Sequence, residues 1–180
     1  MALTEERIVE TAHALLVERG LPDLTMRRIA AELDVRPGAL YYHVDSKQQL
    51  LARIAARVLR PLQTPTPDEE PRELLARFRR LVLPLRDGGD LILVAFGLDP
   101  RLPPVPGLIE QLTARGFGAD EAEQRAAAAV RLSLGAVAVE QNAALLRAAD
   151  PQQAGDAARE AACRAAEDRL HDRGVDLLLG

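Results

Sequence analysis

The chain has 180 residues, 48% of them hydrophobic and 28% charged, so it is long enough for a sizeable core and too apolar to be disordered. Its single cysteine, Cys163, excludes an intrachain disulfide, and no run of about 18 apolar residues is present to span a membrane. The net charge of −4 is uneven: residues 1–60 carry nine Arg/Lys against eight Asp/Glu, and residues 61–180 carry fourteen against nineteen. The acidity belongs to the second part, so it does not argue against a nucleic-acid partner for the first, where local placement of charge decides. Aromatic residues make up only 3%, which calls for an aliphatic, alanine-rich core. The start, MALTEERIVE, lacks a signal-peptide pattern, and with the single cysteine this fits a reducing cytoplasm as the expected location.

The first helix is expected from Glu5 to Arg19. Thr4 supplies a capping hydroxyl, Glu5 and Glu6 sit at the positive end of the helix dipole, and Gly20 with Pro22 stops it. Thr25 caps a second helix over Met26–Leu33, in which Met26, Ile29, Ala30 and Leu33 share one face. Arg27, Arg28, Ala31 and Glu32 lie away from it. Asp34-Val35-Arg36-Pro37 ends this helix, because the residue before a proline is pushed off αR, while proline suits the first turn of a helix. A third helix is expected from Pro37 to Val44, with Leu40 and Val44 stacked. Ser46 caps a fourth, running to Leu59, with Leu50, Leu51, Ile54, Ala55 and Val58 as its apolar stripe. Two short helices joined by a turn of this length suit a helix-turn-helix, whose second helix enters the DNA major groove.

This segment resembles the DNA-binding domain of the TetR family of bacterial transcriptional repressors. The resemblance is carried by Leu24-Thr25-Met26-Arg27-Arg28-Ile29-Ala30, Val35, Gly38-Ala39-Leu40-Tyr41-Tyr42-His43-Val44, Ser46-Lys47 and Leu50-Leu51. It implies that Arg27 reaches a guanine edge, that Arg36 and Pro37 meet bases, and that Tyr42 packs against sugar or base. It also implies that Thr25, Gly38, Tyr41, His43 and Lys47 hold phosphates, which position the domain without reading sequence. A core position for Tyr41 is equally open on the sequence.

Gln63 to Pro71, QTPTPDEEP, is the one good linker, so the expected division is a DNA-binding domain over 1–48, a connecting helix over 46–60, and a second domain over 63–180. Beyond the linker every element reads as helix, and the expected fold class is all-α. Helices are expected over Pro71–Leu85, Asp90–Leu98 and around Leu108–Leu112, with Arg86-Asp87-Gly88-Gly89 as a turn. A long helix over Ala119–Ala149 and a last one from Gln153 to Leu179, with a possible kink at Gly174, are rich in small residues and should pack antiparallel.

The second part resembles the regulatory domain of the tetracycline-repressor branch of the same family, through Phe78-Arg79-Arg80, Arg86-Asp87-Gly88, Gly116-Phe117, Leu134-Gly135 and Gln141. The resemblance implies a homodimer joined by the last two helices, about 119–149 and 153–179, and a small-molecule pocket among the middle helices. Leu74, Ile92 and Val139 stand where that branch carries its drug and metal contacts, and aliphatic side chains cannot ligate a hard cation. No cofactor or metal is therefore expected. A mostly hydrophobic effector is, in a pocket lined by Phe78, Val82, Ile92, Phe96, Ile109 and Leu134, with Gln141 as polar anchor. Each of these apolar residues is equally readable as ordinary core.

The three histidines, His13, His43 and His171, are too far apart in sequence to form a metal motif. No nucleophile–base pair, HExxH, phosphate-cradling glycine loop or paired carboxylates stand out, and Glu121, Glu123 and Glu140 read as solvated or interfacial, so an enzyme is not expected. The standing alternative is a helical dimeric interaction protein without specific DNA binding.

Overall fold

A computed structural model of the chain describes residues 2–64, 66–149 and 157–180. Its elements are α1 (Glu5–Arg19), α2 (Met26–Glu32), α3 (Pro37–Leu40), α4 (Lys47–Leu59), a 3-10 turn (Arg60–Gln63), α5 (Pro71–Val82), α6 (Gly88–Leu98), α7 (Val105–Ala114), α8 (Ala119–Ala149) and α9 (Ala157–Leu179). No strand occurs among the described residues, in agreement with the all-α expectation. The capping hydroxyls act as the sequence suggests. Thr4, Thr25 and Ser46 accept from the amides of Arg7, Arg28 and Gln49 at 3.3, 3.2 and 3.1 Å. Gly20 ends α1 at φ 83°, a conformation that suits glycine.

Several boundaries differ from expectation, each for a local reason. α3 stops at Leu40, and Tyr41–His43 form a turn in which the Leu40 carbonyl accepts from both His43 and Val44, at 3.0 and 2.9 Å. Leu40 and Val44 are nevertheless both fully buried, so the stacked pair survives the tightening. α5 ends at Val82 because Pro84 has no amide to continue it. α6 begins at Gly88, since Gln141 Oε1 accepts from the Gly89 amide at 2.9 Å and satisfies a first-turn donor. In α4 it is Leu59 that is buried, with Val58 only partly covered. The expected start of the last helix near Gln153 lies outside the described residues. Its helical path runs unbroken through Gly174, where an added Cβ would lie 2.6 Å from Leu132 Cδ2 of α8. A glycine there permits close helix approach.

α1, α2, α3 and the first half of α4 enclose Ile8, Leu16, Ile29, Leu40 and Leu50, all without exposed surface. Each such side chain contributes about 1.5–3 kcal/mol of burial. α4 then lies along α6, and the apolar core continues through Ile54 into Phe78, Leu91, Ile92 and Leu108. α8 packs against α5, α6, α7 and α9. The proline-rich linker is fastened: Arg77 donates to the Pro61 carbonyl and Glu69 carboxylate at 2.7 Å each, and Gln111 Nε2 donates to the Glu69 carbonyl at 2.8 Å. The core is thus continuous across the linker, with α4 as the bridge.

Candidate nucleic-acid interface and effector cavity

The turn between α2 and α3 is built by more than its proline. The Val35 amide donates to the Ala30 carbonyl at 2.9 Å and the Asp34 amide to the Ala31 carbonyl at 3.2 Å, with Asp34 left-handed at φ 54°. This pairing is a Schellman motif that satisfies the free carbonyls at the end of α2. Arg36 is extended, at φ −75° and ψ 143°, and sets Pro37 at the first position of α3. The two short helices are therefore joined by fixed hydrogen bonds, and what they carry outward is held in place.

Thr25, Arg27, Arg36, Pro37, Gly38, Tyr41 and Tyr42 are all exposed, and His43 and Lys47, which follow them in the chain, are partly buried. Tyr42 is 91% exposed and Tyr41 51%, so neither ring belongs to the core, which Leu40 and Val44 supply instead. Arg27, Arg36 and Lys47 make no ion pair among the described residues, whereas Arg28 is held by Asp23 at 3.2 Å. Three cations without an ion pair among the described residues and two solvent-facing aromatic rings thus lie on α2, α3, the turn after α3 and the start of α4. Such a surface can neutralise phosphates, stack on sugars or bases and reach groove edges.

The residues expected to line an effector pocket do not surround one cavity. Phe78, Val82 and Ile92 have no exposed surface and are packed as core, and Ile109 is partly buried against that core. Phe96 and Leu134 do share a half-open cavity of about 500 Å³ between α6, α7 and α8. Leu93, Val105 and Val130 complete its apolar lining, and Arg101, Glu123 and Arg131 stand around it. Arg101 and Glu123 pair at 2.7 Å, and Arg131 makes no ion pair among the described residues. Its volume and lining are those of a small-molecule site. Gln141 is elsewhere. Its Nε2 donates to the carbonyls of Leu83 and Leu85 at 2.9 and 2.7 Å, so its amide clamps the turn between α5 and α6. Leu74 and Ile92 are buried, and among the described residues no group of three His, Cys, Asp or Glu is placed to hold a metal.

A buried polar cluster that the sequence did not announce lies where α5, α8 and α9 meet. Arg79 and Glu140 are each only 8% exposed and hydrogen-bond one another; the same guanidinium nitrogen reaches Asp168 at 2.7 Å. Glu140 is thus neither solvated nor free, because its partner comes from a helix 61 residues away. Burial by itself would lower the Arg79 pKa, but hydrogen bonds to Asp168 and Glu140, with their charges, raise it overall. Beside this pair, Ser133 Oγ lies 2.8 Å from His171 Nε2. Burial, then the Arg79 charge, holds the His171 pKa below the ordinary histidine value, so this ring is neutral near pH 7.

Comparison with known proteins agrees with this architecture. Residues 8–54 match the family described as bacterial regulatory proteins, tetR family. The class C tetracycline repressor protein of Escherichia coli is 32% identical over 161 residues, covering 86% of this chain and 72% of that protein. Mycobacterium smegmatis BioQ superposes with a TM-score of 0.76 at 30% identity, over 99% of this chain and 96% of its own. A BioQ structure with its double-stranded DNA operator matches 78% of this chain and 89% of its own, with a TM-score of 0.69 and 33% identity. No helix among the described residues is long and apolar enough to cross a membrane. With its helix-turn-helix, its helical second half and this likeness over nearly its whole length, the chain belongs to the TetR family of bacterial transcriptional regulators.

Proposed function

We infer that this regulator binds a palindromic operator as a homodimer, represses from it in the bacterial cytoplasm, and is released by a mostly apolar small molecule. The observation that carries the DNA half is the surface of α2, α3 and the start of α4, where Arg27, Arg36 and Lys47 make no ion pair among the described residues and Tyr42 is 91% exposed. On this reading Arg27 takes a guanine edge, a contact that discriminates by about 1–3 kcal/mol. Arg36 and Pro37 meet bases as α3 enters the major groove, and Tyr42 packs against sugar or base. Thr25, the Gly38 backbone, Tyr41, His43 and Lys47 hold phosphates and set the register. The solved relative seated on its own operator supports this assignment.

The homodimer is assigned to α8 and α9, which carry Val139, Leu146, Leu170 and Leu177 more than half exposed. Burying such side chains against a second copy is favourable, and a two-fold axis places two recognition helices about 34–36 Å apart, one turn of DNA. The effector is assigned to the cavity holding Phe96 and Leu134. It acts only if it binds the released arrangement more tightly than the DNA-bound one. The test is operator affinity of Arg27→Ala and Tyr42→Ala against the parent. A loss of about 10–100-fold per variant is expected. Unchanged affinity would instead favour a helical dimer without specific DNA binding.

A further inference from the structure

The second domain holds the DNA-binding domain through α4, which packs along α6 and also meets α5. A further attachment is a hydrogen bond: Asp87, which precedes α6, accepts from the Leu21 amide through Oδ2 at 2.7 Å, across 66 residues of chain. Leu21 lies in the turn between α1 and α2, so this bond reaches the reading head by a route that bypasses α4. Packing along one helix resists rotation about that helix only over a short lever arm, and an off-axis attachment adds resistance where the lever is longer. The residues around the bond are shaped for it. Asp87 is left-handed at φ 54°, and a Cβ at Gly20 would lie 2.5 Å from Asp87 Oδ2. The Asp87 turn is in turn fixed to α8, because Gln141 bonds the carbonyls of Leu83 and Leu85 and the amide of Gly89, at 2.9, 2.7 and 2.9 Å.

We propose that Asp87 is a positioning residue for operator recognition, which fixes the orientation of the DNA-binding domain on α8 and with it the separation of the two recognition helices. The inference rests on the dimer and DNA reading above. α8 belongs to the dimer interface in that reading, so the path α8–Gln141–Asp87–Leu21 runs from the symmetry axis to the reading head. It sets half-site spacing without touching DNA.

The test uses a duplex selected from a randomised library by the full-length parent, then resynthesised with one base pair inserted or removed at its centre. Each such change displaces a half-site by about 3.4 Å and rotates it by about a tenth of a turn. Asp87→Gly removes the acceptor while suiting the left-handed backbone, so it should fold; Asp87→Asn keeps an oxygen acceptor and tolerates the same backbone. The parent is expected to lose about tenfold or more in affinity per inserted base pair, a size typical of a lost specific contact. In Asp87→Gly that loss should shrink below about threefold while affinity for an isolated half-site stays unchanged, and Asp87→Asn should restore it. Gly20→Ala, which forces the bond apart from the other side, should flatten the spacing profile in the same way. A uniform weakening across all spacings, or an unchanged profile in both variants, overturns the proposal. A parent that selects no duplex at all refutes the DNA reading and the proposal with it.

A second readout needs no operator. With Cys163→Ser and a spin label at Gln48→Cys, the inter-subunit distance distribution should be narrow in the parent and broad in Asp87→Gly. Equal widths overturn the proposal.

Discussion

Replacing Arg79 by methionine isolates what its buried charge contributes. The side chain is 8% exposed and hydrogen-bonds Glu140, itself 8% exposed, and its charge is balanced further by Asp168 at 2.7 Å. Asp168 is more than half exposed and returns to water when the guanidinium is lost, so it adds little. Glu140 has no such escape. Left charged without its partner, it costs about 3–5 kcal/mol. Arg79→Met should therefore destabilise by about 3–5 kcal/mol, a fall of about 6–20 °C in Tm for a chain of this size. Arg79→Met/Glu140→Leu removes both charges and should recover most of the loss, since well-packed apolar replacements of buried pairs are often neutral. Urea denaturation at one fixed protein concentration measures this, because dimer stability depends on concentration. A single variant as stable as the parent, or a double variant as unstable as the single, would refute the reasoning.

Two further outcomes concern groups away from the DNA contacts themselves. Asp34 sits left-handed at φ 54° in the helix-turn-helix turn, so Asp34→Gly should raise stability by about 0.5 kcal/mol, the relief of backbone strain offset by a more flexible unfolded chain; a lower thermal midpoint would contradict it. His171 has a folded-state pKa held below its unfolded value by burial and the Arg79 charge, against the opposing pull of Asp172 and Glu140. The unfolded chain therefore binds the proton first, and this contribution is complete above about pH 6.5 and lost as pH falls through the lowered folded value. His171→Gln should flatten stability against pH over that acid window, and an unaltered slope would sink the assignment.

The sequence makes legible whatever is settled locally. Thr4, Thr25 and Ser46 cap their helices because a hydroxyl three residues from an amide needs no distant partner. Gly20 stops α1 for a similarly local reason, and the outward placement of Arg27 on α2 follows from helical periodicity, whereas Arg36, Tyr41, Tyr42 and Lys47 are legible through the family resemblance. What stays hidden depends on residues far apart in the chain. Nothing near Glu140 announces Arg79, and nothing near Gln141 announces the carbonyls of Leu83 and Leu85, 58 and 56 residues earlier. An apolar residue such as Phe78 or Ile92 has the same sequence signature in a packed core as beside a ligand. Only packing separates them, and it places Phe96 and Leu134 at the cavity and the others inside. The shortening of α3 is a case between: Leu40 and Val44 fit a helix period, yet the carbonyl of Leu40 takes both following amides and tightens the turn.

The chain has two tyrosines and no tryptophan, and both tyrosines, Tyr41 and Tyr42, lie on the face assigned to DNA. Intrinsic tyrosine emission therefore reports from that face alone. Titration with a selected palindromic duplex, followed at the same time by the anisotropy of a dye on the DNA, tests the account most directly. The account predicts that tyrosine emission changes along the same curve as the anisotropy and saturates at one duplex per two chains. Saturable binding that leaves tyrosine emission untouched would place the DNA elsewhere on the molecule and contradict it.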